Sequence, residues 1–396
     1  MTPAALGRGW SERGLLDLVT IKSGQVDPRK AEFRSLALIA PDHISSKTGR
    51  LIKLETAAAQ QAISGKYLVK PGDVIYSKIR PYLQKAYRCN FEALCSADMY
   101  PLTPRPGVDG SFVLHSILGH DFTNFATSVS ARSGIPKINR EELAGYRLAV
   151  PPPAEQAAIG RALDDADDLV GALEGLIAKK QALKQGMMQQ LLTGRTRLPG
   201  FGTAHPGWIE LGDVAAVTMG QSPVGASYNR RGIGAPLING PTEFTDHHPI
   251  PRQWTTSPVR YCRSGDVLIC VRGSSTGRMN IADEEYCIGR GVAAVGAHES
   301  ASQMFVRYAL EWAVVDMLKL QAGSTFPSID ERAIRNSHVL DVSIEEQAAI
   351  GALLYDTDGE LAVLRARLEK ARGIKTGMMQ ELLSGRTRLP VEGDAV

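Results

Sequence analysis

Apolar residues return at seven-residue intervals through a stretch that opens on Pro151-Pro152-Pro153 and closes on Gly194. Ile159, Ala166, Leu173 and Met187 fall in one column, interrupted only by Lys180, and Ala162, Leu169, Leu176 and Leu183 fall in a second. Two columns at heptad spacing form the seam of a coiled coil, so the stretch is predicted as one long helix. The prolines suit a first helical turn, while Gly194, Arg195, Arg197 and Pro199 suit a helix end. About forty residues at the helical rise make a rod on the order of 60 Å long. A later stretch follows the same plan through Ile350, Leu354, Leu361, Leu364, Leu368, Ile374 and Met378. Seams of this length need a partner, and the pattern predicts that the two helices pack on each other, antiparallel.

The two helices are copies. Glu155-Gln156-Ala157-Ala158-Ile159-Gly160 recurs as Glu346-Gln347-Ala348-Ala349-Ile350-Gly351. Lys184-Gln185-Gly186-Met187-Met188-Gln189-Gln190-Leu191-Leu192 recurs as Lys375-Thr376-Gly377-Met378-Met379-Gln380-Glu381-Leu382-Leu383, and Gly194-Arg195-Thr196-Arg197-Leu198-Pro199 recurs unchanged from Gly385 to Pro390. One constant offset relates all three pairs, which marks an internal repeat without insertion or deletion. The regions before each copy match in kind. Each opens near a tryptophan (Trp10, Trp208) and contains a Gly-Asp-Val turn leading into a strand-like run, Gly72-Asp73-Val74-Ile75-Tyr76 and Gly265-Asp266-Val267-Leu268-Ile269. Helical patterns follow at 112–126 and 302–319, then loops with glycine, serine and proline, Ser133-Gly134-Ile135-Pro136 and Gly323-Ser324-Thr325-Phe326-Pro327. The expected fold class is α+β, with two mixed α/β domains joined by two long antiparallel coiled-coil helices and related by a pseudo-two-fold repeat. Expected boundaries are 1–150 for the first variable domain, 151–199 for the first helix, 200–341 for the second domain, 342–390 for the second helix and 391–396 for a tail.

Composition narrows the function classes. A hydrophobic content of 43% with 22% charged residues describes a folded globular chain. The formal net charge of +3 is too small for a general polycation, so any nucleic-acid contact must concentrate charge on particular faces. No apolar run is long enough to span a membrane, and the first ten residues lack a secretory core, so the expected location is the cytoplasm. Five cysteines without a C-x-x-C pair point to reduced thiols and away from zinc. His247-His248 has no acidic or thiol companions that would make it a metal site. Gly273-Ser274-Ser275-Thr276-Gly277-Arg278 lacks the Lys-Ser/Thr ending of a phosphate loop. Neither Asp27-Pro28-Arg29-Lys30 nor Asn239-Gly240-Pro241-Thr242 is the Asp/Asn-Pro-Pro-aromatic tetrapeptide of an adenine methyltransferase. No catalytic residue, metal or cofactor is expected in this chain.

The order of these parts resembles the specificity subunits of Type I restriction–modification systems over essentially the whole sequence. Pro151-Pro152-Pro153-x-Glu155-Gln156-x-x-Ile159 and the Met-Met-Gln-x-Leu-Leu-x-Gly-x-x-Arg helix end look like that family's conserved regions. Trp208 with Leu211-Gly212-Asp213-Val214, and Gly265-Asp266-Val267-Leu268 before Arg272-Gly273-Ser274, resemble its target-recognition domains. The second helix departs by opening on Val342-Ser343-Ile344 in place of prolines, and the first domain shows Ser77-Lys78-Ile79-Arg80-Pro81 where the second has its Gly-Ser-Ser loop. The resemblance implies a non-catalytic phage-defence subunit that binds double-stranded DNA, each domain reading half of a split target. It further implies two methyltransferase subunits docked on the helices, carrying S-adenosylmethionine, and motor–nuclease subunits that join for restriction. Holding phosphates and reading base edges takes Lys, Arg, Ser or Thr on loops. In the first domain these are Lys78, Arg80, Lys85, Arg132, Ser133 and Lys137. In the second they are Arg272, Ser274, Ser275, Arg278, Ser324 and Thr325. Two other readings stay open on the sequence: a coiled-coil adaptor without DNA reading, and a self-contained DNA-modifying enzyme.

Overall fold

The structure is a computed structural model that describes residues 9–131, 134–246, 248–319 and 327–390. It contains two compact units, Met1–Glu174 with Ala366–Val396, and Gly175–Arg365, so the division falls inside both long helices.

The first unit begins with β1 (Ser11–Gly14), α1 (Leu15–Leu18), β2 (Val19–Ile21), β3 (Leu38–Ile39), β4 (Tyr67–Val69) and β5 (Val74–Ser77). It continues through β6 (Ala86–Arg88), β7 (Ala93–Cys95), β8 (Met99–Pro104), α2 (Gly110–Leu118), α3 (His120–Val129), α4 (Arg140–Ala144) and β9 (Arg147–Val150). The first long helix, α5, runs Pro153–Leu191. The second unit holds β10 (Gly207–Glu210), α6 (Leu211–Val214), β11 (Ala215–Met219), β12 (Tyr228–Asn229), β13 (Ala235–Ile238), β14 (Gln253–Thr255) and β15 (Tyr261–Cys262). After these come β16 (Val267–Cys270), β17 (Met279–Ile281), β18 (Tyr286–Ile288), β19 (Val292–Ala297), α7 (Gln303–Lys319), α8 (Glu331–Arg335) and β20 (His338–Asp341). The second long helix, α9, runs Ile344–Leu383.

The repeat extends through both domains. Sheet order β2-β8-β5-β6 in the first unit recurs as β11-β19-β16-β17 in the second, and the pair β1-β9 recurs as β10-β20. A three-stranded sheet, β3-β7-β4, is matched within a five-stranded one, β12-β14-β13-β18-β15, and the place of β14 is held in the first unit by a short segment that bridges Thr56 to Ala37. The Gly-Asp turns explain themselves. Gly72 and Gly265 have φ of 94° and 90°, a region open to glycine at little cost. Asp73 and Asp266 each accept a backbone N–H from three residues earlier, at 2.7 and 2.8 Å. The strands they launch are buried throughout, and apolar but for Ser77, because both faces are covered. Val74 and Tyr76 join the cluster of Phe112 and Phe122, while Ile75 packs with Ile39 and Val69. Val267 and Ile269 likewise face Phe305 and Leu310, and Leu268 and Cys270 face Ile238 and Tyr286.

Within the first unit, α5 and α9 run antiparallel, with Asp167 bound to Lys375 at 2.5 Å and Glu174 to Arg372 at 2.7 Å. Within the second, Lys184 binds Asp358 at 2.8 Å and Lys180 pairs with Glu360. The seam corrects part of the expected pattern. Ile159 and Ile350 are buried, and Leu173, Met187, Leu364 and Met378 are half-buried, as the first column requires. The second column lies one residue further on. Leu163, Val170 and Ile177 are buried, whereas Leu169, Leu176 and Leu183 are 54, 47 and 51% exposed. Ile374 is also exposed, at 54%, and its seam place belongs to Lys375.

The reason is that the domains take part in choosing the buried face. Ile159 and Leu163 share a cluster with Phe112 and Ile117, and Ile350 and Leu354 share one with Phe305 and Val306. Close packing is enforced at Gly160, where a Cβ would lie 2.6 Å from Asp109 Oδ1 and 3.1 Å from the Phe112 nitrogen. It is enforced again at Gly351, 2.7 Å from Met304 Cβ. Gln156 accepts the Asp109 N–H at 3.1 Å, and its counterpart Gln347 accepts that of Ser302 at 3.0 Å. Glu155 and Glu346, both buried, are gripped by Arg388 and Arg197. These contacts account for the repeated Glu-Gln and Gly-Arg-Thr-Arg segments.

Candidate DNA interface

In each unit the structure joins two loops that lie far apart in sequence. In the first, Ile79 bridges Lys137, Arg80 N–H donates to Pro136 O at 2.8 Å, and Ile138 N–H donates to Lys78 O at 2.9 Å. In the second, Arg272 bridges Ser328, Gly273 N–H donates to Pro327 O at 3.2 Å, and Ile329 N–H donates to Val271 O at 2.9 Å. Thr276 locks the second pair, its hydroxyl donating to Gly273 O and Pro327 O at 2.7 and 2.9 Å. The same backbone scaffold therefore carries Lys-Ile-Arg in one unit and Val-Arg-Gly in the other.

The predicted contact residues divide by what their side chains already hold. Arg80 and Lys137 are exposed on the joined loops of the first unit, and Arg80 sits in the left-handed region at φ 50°. Arg140, which the sequence reading missed, adds an exposed guanidinium nearby, with one N–H on Lys22 O at 3.3 Å. Lys78 is committed elsewhere: its ammonium donates to Ala97 O and lies 5.6 Å from the Tyr100 ring centroid. Burial holds its pKa below the ordinary lysine value, and the positive charges of Lys137 and Arg140 push it the same way. The negative charge of Asp98 opposes them. Lys85 donates to Pro41 O at 2.6 Å and braces a loop. In the second unit Arg272 and Ser274 are exposed and Ser275 is half-buried. Arg278 is exposed, yet its guanidinium donates to Pro241 O and Phe244 O at 3.3 and 3.0 Å. Arg132, Ser133, Ser324 and Thr325 lie outside the described residues. Arg230, Arg231 and Arg290, all exposed on loops of the second unit, were also missed, because the first unit has no counterpart to flag them.

All five cysteines are buried and unpaired, and burial pushes the thiols of Cys89, Cys262 and Cys270 up to about 12, far from nucleophilic. Among the described residues no group of three or more His, Cys, Asp or Glu side chains could hold a metal ion. Nor is any described helix long and apolar enough to cross a membrane.

Comparison with known proteins accounts for the twofold plan. The family model for the Type I restriction modification DNA specificity domain matches residues 7–185. The putative type I restriction enzyme MjaX specificity subunit of Methanocaldococcus jannaschii is 27% identical over 400 residues, covering 96% of this chain and 94% of that protein. The type I restriction enzyme EcoDI specificity subunit of Escherichia coli is 33% identical over 160 residues, 39% of this chain and 36% of that one. The Type-I restriction-modification system S subunit of M. genitalium superposes with a TM-score of 0.63 at 15% identity, over 97% of this chain and 99% of that structure. The chain is a protein of two compact units that is similar, over nearly its whole length, to Type I restriction–modification specificity subunits. That family supplies target selection, and no catalysis, to its complexes.

Proposed function

We propose that this chain reads a split, asymmetric DNA target, one half through the joined loops of each unit. The observation that carries the reading is the scaffold built twice with different side chains: Arg80 and Lys137 stand on one copy, Arg272 and Ser274 on the other. Equivalent frames with unlike polar groups are what two different half-sites require. Two methyltransferase subunits dock on the paired helices and bring S-adenosylmethionine, while motor–nuclease subunits join for restriction, all in the cytoplasm. The length of the helices sets the unread gap, with half-sites about one helical turn, roughly 10 bp, apart centre to centre.

Alanine substitution separates the two halves. In the assembled methyltransferase complex, Arg80→Ala and Arg272→Ala should each weaken binding of the full target roughly tenfold at fixed salt, followed by fluorescence anisotropy. On a duplex with one half-site scrambled, only one of the two substitutions should still matter. Equal losses on both scrambled duplexes would contradict the assignment of one half per unit.

A further inference from the structure

The second unit carries a polar site next to its joined loops that the equivalent place in the first unit lacks. Strands β13 and β18 run parallel, pairing Leu237 with Cys287 and Ile238 with Ile288, so their ends deliver Asn239 and Arg290 to one edge of the five-stranded sheet. From the neighbouring β14, Gln253 Oε1 accepts a hydrogen bond from Asn239 Nδ2 at 3.4 Å. The turn behind Asn239 is fixed by Glu243, 7% exposed. Its carboxylate accepts the backbone N–H groups of Asn239 and Gly240 at 3.2 and 3.1 Å and the Thr242 hydroxyl at 2.6 Å. Glycines then frame the amide. A Cβ on Gly289 would lie 2.0 Å from Asn239 Oδ1, one on Gly291 would lie 2.4 Å from Asn239 O, and one on Gly220 would lie 2.2 Å from Gly289 O.

This site shares its backbone with the candidate interface. Val271 N–H, one residue before Arg272, donates to Gly291 O at 2.9 Å, and Arg278 donates to the carbonyls of Pro241 and Phe244. Asn239 and Gln253 are half-buried and Arg290 is exposed, so the group meets solvent. Two carboxamides offer four N–H donors and two carbonyl acceptors, and one mutual hydrogen bond leaves most of that capacity for a ligand. A carboxamide held in one orientation matches the N6/N7 edge of adenine, and a guanidinium matches the O6/N7 edge of guanine. In the first unit, β3 pairs with β7 in the same parallel way and Leu38 N–H donates to Glu55 O. The residues in the corresponding places are Ala40, Glu55 and Ala97, which offer neither amide nor guanidinium.

We infer that Asn239 and Gln253 read an adenine in the half-site of the second unit, and that Arg290 reads the adjacent base pair. The inference rests on the DNA reading proposed above. Its test uses the full chain assembled with its methyltransferase partner, scored for methylation of duplex libraries randomised across both half-sites. Asn239→Ala and Gln253→Ala should each relax the preference for one A·T pair by roughly tenfold or more, and Arg290→Ala should do so at the neighbouring pair. The half-site that responds to Arg80→Ala, and the gap, should not change. The inference is overturned if the variants keep the wild-type preference at every position, or if they relax the other half-site. Should Asn239→Ala fail to fold by circular dichroism, Gln253→Ala and Arg290→Ala decide alone, since their side chains are not enclosed. A wild-type complex without any base preference would instead sink the DNA reading itself.

Discussion

A complex whose specificity subunit lacks residues 170–176 and 361–367 should still recognise the same two half-sites, but with a shorter gap between them or not at all. Each deletion removes one heptad, so the buried columns that run through Val170 and Ile177 and through Leu361 and Leu368 stay in register. Seven residues shorten a helix by roughly 10 Å, the length of about three base pairs. The heads lose only the Arg50–Glu174 ion pair and their candidate DNA loops are untouched, so the bases they select should not change. Methylation-motif sequencing of cells carrying the variant with its partner subunits measures both properties at once. Altered half-sites with an unaltered gap would mean that the helices do not set the spacing.

The second large effect concerns stability. Lys375 occupies a seam position with its ammonium 2.5 Å from Asp167, and the two side chains are only 11 and 16% exposed. The repeat reproduces the pair as Lys184 and Asp358. Removing one member of such a pair strands a charge out of water, whereas replacing both with apolar side chains removes the desolvation cost. Lys375→Ala should therefore destabilise the first unit by about 3 kcal/mol, because Asp167 is left beside Asp164 and the buried His115. Lys375→Met combined with Asp167→Leu should recover most of that loss. Urea unfolding of the two variants checks this, and equal destabilisation of single and double variants would show that the charge pair is not what the seam depends on.

How much of this could be read from the chain varies with how local the determinants are. The helix repeat was plain because Glu155, Gln156 and Gly160 recur at fixed spacing, and the structure gives each a contact that its copy repeats. The Gly-Asp strands were equally legible, since turn and strand are adjacent in sequence. The choice of seam column was not. Leu169, Leu176 and Leu183 offer as good a heptad as Leu163, Val170 and Ile177, and the packing of Phe112 against the start of α5 breaks the tie. Lys180 reads as an interruption of the seam until its partner Glu360 is seen. The loop clusters were found in sequence, but their joining through Ile79 and Lys137, or Arg272 and Ser328, is a long-range pairing. Loop position alone did not show that Lys78 and Lys85 are spent on backbone carbonyls. Gln253 escaped notice, and Asn239 was weighed only within a tetrapeptide, because strand pairing brings the two together and the first unit has no copy to compare.

The central claim is that two unlike heads on one repeated scaffold read two unlike half-sites, and adenine-methylation mapping tests it most directly. The chain should be expressed with its methyltransferase partner in a host free of other adenine methylation, and every modified site sequenced. The expected motif has two different short half-sites separated by bases that do not matter, and the chain expressed alone should leave no mark. A single continuous palindrome, or methylation by the chain without its partner, would contradict it.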